Sequence, residues 1–232
     1  MAFLTKVDPF GIASTTLAVK STSDGNSGSI AEATDENGTI VAQEAYGQRM
    51  APSAEYALKA ETTFDDIVLG GVSTYKTKRV VLTNFTVNTS AGGEPTISAS
   101  GEEVEASSDG TCPATYTVPE FTLGVCHHAK ILFSAFSIAG TGCYLNSANY
   151  TAACENGTAT VDGVVVAHGV HGAYLEVTAE IIATSGTAPT VTPGQGWVVS
   201  SPLAETNPDA EYPTYSITLR KPIAKDSVSS ST

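Results

Sequence analysis

Positive charge is scarce in this chain: 11 Lys and Arg stand against 24 Asp and Glu, a formal net charge of −13 over 232 residues. Wrapping nucleic acid needs clustered cations to neutralise phosphates, so that class of function is excluded. A surface that repels phosphate still suits a protein that lets nucleic acid pass without holding it. Cysteine is sparse too, and Cys112, Cys126, Cys143 and Cys154 are irregularly spaced with no C-x-x-C, which reads as reduced thiols and not as a disulfide framework. A structural zinc site needs ligands in close pairs. His168 and His171 have only two residues between them, and Cys126-His127-His128 has no companion cysteine pair, so no metal or cofactor is expected. The chain also lacks a G-x-S-x-G elbow, a phosphate-binding G-x-x-x-x-G-K-[ST] loop and a dinucleotide fingerprint. Adjacent Cys126 and His127 would point to opposite faces of a strand, and a single Trp, Trp197, is little material for an aromatic sugar cleft. The chain is read as a non-enzyme.

Long apolar runs are missing as well. No segment is long enough to cross a membrane as a helix, so no membrane partner is expected. Met1-Ala2-Phe3-Leu4-Thr5-Lys6 leads into Val7-Asp8-Pro9 instead of an apolar signal core, and the expectation is a chain made and kept in a cytosol. The Asn-x-Ser/Thr sequons at Asn37, Asn84, Asn88, Asn149 and Asn156 then read as Thr-rich strands meeting Asn turns.

What the chain does have is Thr, Ser, Val, Ala and Gly, the composition of many strands joined by Gly-rich turns. The expected class is all-β with at most one short helix. One pattern occurs twice: Glu36-Asn37-Gly38-Thr39 precedes a Tyr-led strand, Tyr56 to Glu61, and Glu155-Asn156-Gly157-Thr158 precedes another, Tyr174 to Glu180. Asn-Gly supplies the positive φ angles of a tight hairpin, so both are read as turns and the chain as two related β units.

In order, residues 1–29 are an N-terminal strand (Thr16 to Val19) and a loop-like flexible arm over 21–29. Residues 30–105 are the first β unit. It opens with a hairpin pairing Ile30–Thr34 with Ile40–Tyr46 and contains a long strand, Lys78 to Thr89, whose alternation is loose. The acidic run at 102–105 reads as a solvated face. Residues 106–153 connect the units, with Cys126–Ile138 either a buried strand pair or the one helix. Residues 154–224 form the second unit, and 225–232 a peripheral tail. Strand periodicity puts Tyr56, Leu58, Ala60, Leu175, Val177, Ala179, Ile181, Ile217 and Leu219 in the core. The same period turns Glu55, Lys59, Glu61, Glu176, Thr178, Glu180, Thr218 and Arg220 to the opposite, wet face.

The layout of an Asn37-Gly38 hairpin, Tyr46-Gly47-Gln48, a Tyr-led strand, Glu94-Pro95-Thr96-Ile97-Ser98-Ala99-Ser100-Gly101 and a second round ending Tyr215-Ser216-Ile217-Thr218-Leu219 resembles virion structural proteins of tailed bacteriophages, most of all the tail tube protein. The resemblance covers about three quarters of the chain and rests on layout, with no diagnostic motif. It implies β-sandwich or half-barrel units, assembled in the host bacterial cytoplasm into stacked trimeric or hexameric rings with a shared inner β-barrel. It also implies contact with other phage structural proteins, and a lumen, lined by the eight wet-face residues above, through which DNA passes. A capsid decoration or receptor-binding β-sandwich is the alternative reading.

Overall fold

A computed structural model describes residues 6–34, 36–37, 39–90, 93–104, 114–123, 135–161, 164–207 and 210–226. Every regular element among them is a strand: β1 (Leu17–Thr34), β2 (Ile40–Leu58), β3 (Thr62–Phe64), β4 (Val68–Leu69), β5 (Val72–Tyr75), β6 (Lys78–Ser90), β7 (Thr96–Glu103), β8 (Tyr116–Thr117), β9 (Phe121–Leu123), β10 (Phe136–Ala139), β11 (Cys143–Val161), β12 (Val164–Ala183), β13 (Thr190–Pro193), β14 (Val198–Glu205) and β15 (Thr214–Pro222). One antiparallel sheet carries the fold, in the order β1-β2-β7-β6-β11-β12-β15-β14, with β5 added beside β6. The path is open: among the described residues β1 pairs only with β2, and β14 only with β15.

Side chains alternate across this sheet with period two, and the register aligns them in rows. One row runs Val19–Tyr56–Ile97–Val87–Tyr150–Val177–Leu219–Val199 through all eight strands. Its centre is the core: Ile97, Val87, Val177 and Leu219 are each 0 % exposed, and each contributes about 1.5–3 kcal/mol by burial. The short strand pairs β3–β9 and β4–β8 cover this face, making the fold sandwich-like. Phe121 stacks on Phe64 at 4.9 Å between ring centroids and sits 4.8 Å from the Tyr150 ring. The N-terminal segment crosses the same side. There the Asp8 carboxylate accepts from the Tyr56 hydroxyl at 2.6 Å and from the Phe10 N–H at 3.0 Å. Burial first, and then the Asp8 carboxylate, pushes the Tyr56 hydroxyl well above the ordinary tyrosine pKa. Gly101 is required here, because a Cβ at that position would lie 2.0 Å from the Val81 carbonyl oxygen.

The loose alternation of β6 has a local cause. A register shift between Leu82 and Asn84 puts Val80, Val81 and Leu82 all in the interior, and strict alternation resumes at Phe85. Three boundaries differ from the sequence reading. Residues 21–29 are strand: β1 pairs with β2 from Leu17↔Leu58 to Thr34↔Ile40, and backbone pairing overrides a loop-like composition. Gly25 fits because a Cβ there would come within 2.9 Å of the Ala51 carbonyl oxygen. Residues 143–153 are not a connector but the first half of β11. Glu155-Asn156-Gly157-Thr158 is not a turn either; it lies inside β11, with Asn156 opposite Val170, and the hairpin reverses between Val161 and Val164. Of the Cys126–Ile138 segment, residues 136–138 belong to β10, paired with β13, and 126–134 lie outside the described residues. The tail begins anchored, with the Asp226 carboxylate accepting from the Thr117 N–H and hydroxyl, each at 3.1 Å.

Two hairpins outrun the sheet. The β2–β7 pairing spans only Ser53–Tyr56, so most of β1–β2 is a two-stranded ribbon of roughly 40 Å, and β11–β12 continues past Ala153↔Tyr174 in the same way. At the base of the first ribbon, Lys76 pairs with Asp24 and holds that carboxyl below its ordinary pKa, aided by Tyr75. Glu103, read as part of a solvated run, is instead an anchor: it accepts from Lys78 Nζ at 2.5 Å and from the Met50 N–H at 3.1 Å. Burial raises the Glu103 pKa, but these two donors outweigh it and the net shift is downward.

Two predictions follow from this geometry. Val177 is buried, whereas its neighbour Thr178 faces the other side. Val177→Asp is therefore expected to cost more than about 4 kcal/mol in urea unfolding and Thr178→Asp less than about 1 kcal/mol; equal costs would contradict the facing assignment. A carboxylate with a depressed pKa contributes stability above its unfolded pKa and loses it as pH falls through the folded value. The stability advantage of wild type over Glu103→Gln is thus expected to hold above about pH 5 and to shrink as pH falls from the ordinary Glu pKa of about 4.3 down through the lower folded value.

Candidate functional site

The face opposite the core runs across all eight strands of the path. Its central row is Ser21–Glu55–Ser98–Thr86–Thr151–Glu176–Arg220–Val198, one residue from each strand of the path. A second row, Thr96–Asn88–Asn149–Thr178–Thr218–Ser201, lies beside it, and a third reads Ser90–Ser147–Glu180–Ser216–Ala204. Small hydroxyl and amide residues dominate because this side of each strand alternates against the apolar one, and β-branched Thr suits a pleated, half-exposed surface.

The polar groups bond to one another along and across strands. Thr86 donates to Asn84 Oδ1 at 2.9 Å and Thr151 to Asn149 Oδ1 at 3.1 Å, and the hydroxyls of Thr178 and Thr218 lie 3.1 Å apart. Such pairs hold side chains in place for roughly 0.2–1 kcal/mol each. They leave the surface with oxygen and amide groups and no cation in its middle.

The charges sit to either side. Glu55 on β2 accepts from Ser21 Oγ at 3.1 Å, with Lys20 Nζ 3.8 Å away. Glu180 on β12 accepts from Asn146 Nδ2 at 3.0 Å and Ser147 Oγ at 3.1 Å. Arg220 lies level with Glu176 across the β12–β15 pair, and its guanidinium stacks 3.5 Å over the Tyr174 ring, an arrangement that holds it flat to the sheet.

Six of the eight wet-face residues singled out from sequence, Glu55, Glu176, Thr178, Glu180, Thr218 and Arg220, therefore share one surface. Lys59 and Glu61 do not: β2 ends at Leu58, and both side chains are exposed in the connection to β3. Ala60, expected in the core, is exposed there for the same reason, and Leu58 is half-buried. Tyr56, Leu175, Val177, Ala179, Ile181, Ile217 and Leu219 are buried as expected. The mainly acidic wall expected from sequence is instead hydroxyl- and amide-rich between carboxylates. Ser98, Thr86, Thr151 and Asn149 at its centre were missed, although the alternation of Ser147, Asn149 and Thr151 with Ala148, Tyr150 and Ala152 marks β11 as a half-buried strand.

Elsewhere, a cavity of about 350 Å³ lies between the N-terminal segment and residues 62–73, lined by Phe10, Ile12, Phe64 and Ile67 with Asp65 and Asp66 among its walls. Among the described residues no three His, Cys, Asp or Glu side chains gather as a metal site. His171 Nε2 lies 3.3 Å from Glu155 Oε2 on the second ribbon, while Cys112, Cys126, His127 and His128 are outside the described residues. Comparison with protein-family models and with curated proteins finds no match.

Proposed function

We propose that the protein is a structural subunit of a tube of the tailed-bacteriophage tail type, whose copies complete one another's sheets into stacked rings around a polar bore. The observation that carries this reading is the combination of an open eight-strand path with a polar face whose middle strands present hydroxyls and amides between flanking glutamates. An open edge presents unpaired N–H and C=O groups, and closing a ring of copies removes that liability for every copy at once. The two outrunning ribbons support the same reading. The side chains of Ile40 and Val41 near the end of the first are 51 % and 64 % exposed, and a two-stranded ribbon alone is marginal in water, so a neighbouring copy or ring gives it something to lie against.

The strand order supports two fused, related units. Read as β1-β2-β7-β6 followed by β11-β12-β15-β14, each group has a long hairpin, then the last strand of the group, then the strand that precedes it. Three copies would then make a barrel of about 24 strands, roughly 45–50 Å across between backbones, since strands lie about 4.8 Å apart and tilt by about 40° in a barrel. Such a bore admits a nucleic-acid duplex. Its wall would work by not binding: hydroxyls and amides keep a hydration layer, the flanking glutamates repel phosphate, and the few cations are tied up beside Glu55 and on Tyr174. In this reading the protein acts in a virion, with DNA as a passing cargo and other virion proteins at the ends of the tube.

Purified protein is expected to form rings or tubes visible by negative stain as its concentration rises. The assembled material should retain no duplex DNA at low salt. Placing cations in the middle of the face with Thr86→Lys, Thr151→Lys and Thr178→Lys should create DNA binding that weakens steeply with salt, with a log–log slope of about −0.9 per phosphate contacted. Strictly monomeric behaviour at high concentration, or tight DNA binding by wild type, contradicts the proposal.

A further inference from the structure

We infer that Asn37, between the two strands of the first ribbon, is a site of spontaneous deamidation to isoaspartate or aspartate, with water as the only co-reactant, and that the fold withholds the same chemistry from Asn156. The site is a property of the single chain and stands whether or not copies assemble into tubes.

The chain holds the tetrapeptide Glu-Asn-Gly-Thr twice, at 36–39 and at 155–158. A glycine after asparagine favours closure of a ring on the main chain, because without a Cβ its nitrogen is unshielded and its backbone turns freely. The Gly38 nitrogen attacks Cγ of Asn37. An N–Cγ bond forms, the N–H proton passes to solvent, and the Cγ–Nδ2 bond breaks to release ammonia. The cyclic imide then takes up one water. Cleavage between the ring nitrogen and Cγ gives aspartate; cleavage between the ring nitrogen and the main-chain carbonyl carbon gives isoaspartate, whose main chain runs through Cγ and is longer by one methylene. One water enters, one ammonia leaves, and nothing is oxidised or reduced.

The two copies have the same immediate neighbours, so local structure decides which reacts. Ring closure requires the backbone to bend until the glycine nitrogen reaches Cγ, and an extended strand holds it away. Asn37 is exposed and lies in a turn, after β1 ends at Thr34 and before β2 begins at Ile40. Asn156 lies inside β11, opposite Val170, with Gly157 opposite Gly169, and its Oδ1 is buried. That pairing must open locally before the ring can close. The restraint extends to the other asparagines that precede a small residue. Asn26 precedes Ser27 within β1, opposite Met50, and Asn146 precedes Ser147 within β11, its amide donating to Glu180 Oε2 at 3.0 Å. Of the four asparagines followed by Gly or Ser, only Asn37 lies outside a strand.

The product alters the end of the ribbon. The new carboxyl is ionised at neutral pH and sits one residue from Glu36 and a few residues from the exposed Ile40 and Val41. Isoaspartate also lengthens the connection of a hairpin whose register depends on that length. Aged protein therefore carries asparagine, aspartate and isoaspartate at one position.

The test is peptide mapping by mass spectrometry of wild-type protein, held dilute and folded in warm neutral buffer, beside an identical sample unfolded in urea. Deamidation adds about 1 Da at the residue concerned, fragmentation locates it, and isoaspartate-specific carboxyl methylation identifies the longer-chain product. In the folded sample the gain at Asn37 is expected at least about tenfold faster than at Asn156, whereas in urea the two rates should agree within about twofold. Gly38→Ala should slow the reaction at Asn37 by at least about fivefold and leave Asn156 unchanged. Equal rates at Asn37 and Asn156 in the folded sample, or an Asn37 that stays intact there while it reacts in urea, would overturn the assignment.

Discussion

A strand that is dry on one side and wet on the other must keep its register, because a slip of one residue would exchange the two faces. Eight strands of this protein keep that bargain in unison. The row through Tyr56, Val87, Val177 and Leu219 closes against the Phe64–Phe121–Tyr150 cluster, and the row one residue away, through Ser98, Thr86 and Thr151, is left to solvent. Everything else is subordinate to this division. The short strands cover the apolar face, the N-terminal segment fastens to Tyr56 through Asp8, and the ribbons continue strands whose inner halves are already fixed.

The same division gives an acidic protein a polar face whose middle, from Ser98 to Thr151, carries no charge. The middle strands of the polar face present hydroxyls and amides, and Glu55, Glu176 and Glu180 flank them. Charge at the borders discourages phosphate at a distance, whereas hydroxyls at the centre offer only bonds that water matches. In the proposed tube, a wall of this kind would be slippery without being strongly repulsive.

Much of this was legible in the sequence where alternation is strict. Glu176, Thr178 and Glu180 against Leu175, Val177, Ala179 and Ile181 could be assigned to faces from period alone, and so could Tyr56 and Glu55. The reading failed where a second effect intervened. The bulge at Leu82–Asn84 spoils the pattern of β6. Asn156-Gly157 has turn-forming residues but is held straight by pairing with Val170 and Gly169, so the second of the two turns read from sequence is a stretch of strand. Ser21 to Ser29 looked like a loop because its composition is poor in β formers, yet a partner strand supplies the missing preference. Ala60 and Glu61 were misplaced because nothing in the alternation announces that β2 stops at Leu58.

The central claim is that two borders are open in the single molecule and completed by other copies. Amide hydrogen exchange, compared between dilute dissociated protein and assembled protein, addresses it most directly. The account predicts that amides of Val198 to Ser201 and of the outer edge of β1 near Ser21 exchange fast when dissociated and become strongly protected on assembly, while those of the β6–β11 junction are protected in both states. Equal protection of the borders in both states, or fast exchange there in the assembled material, would contradict it.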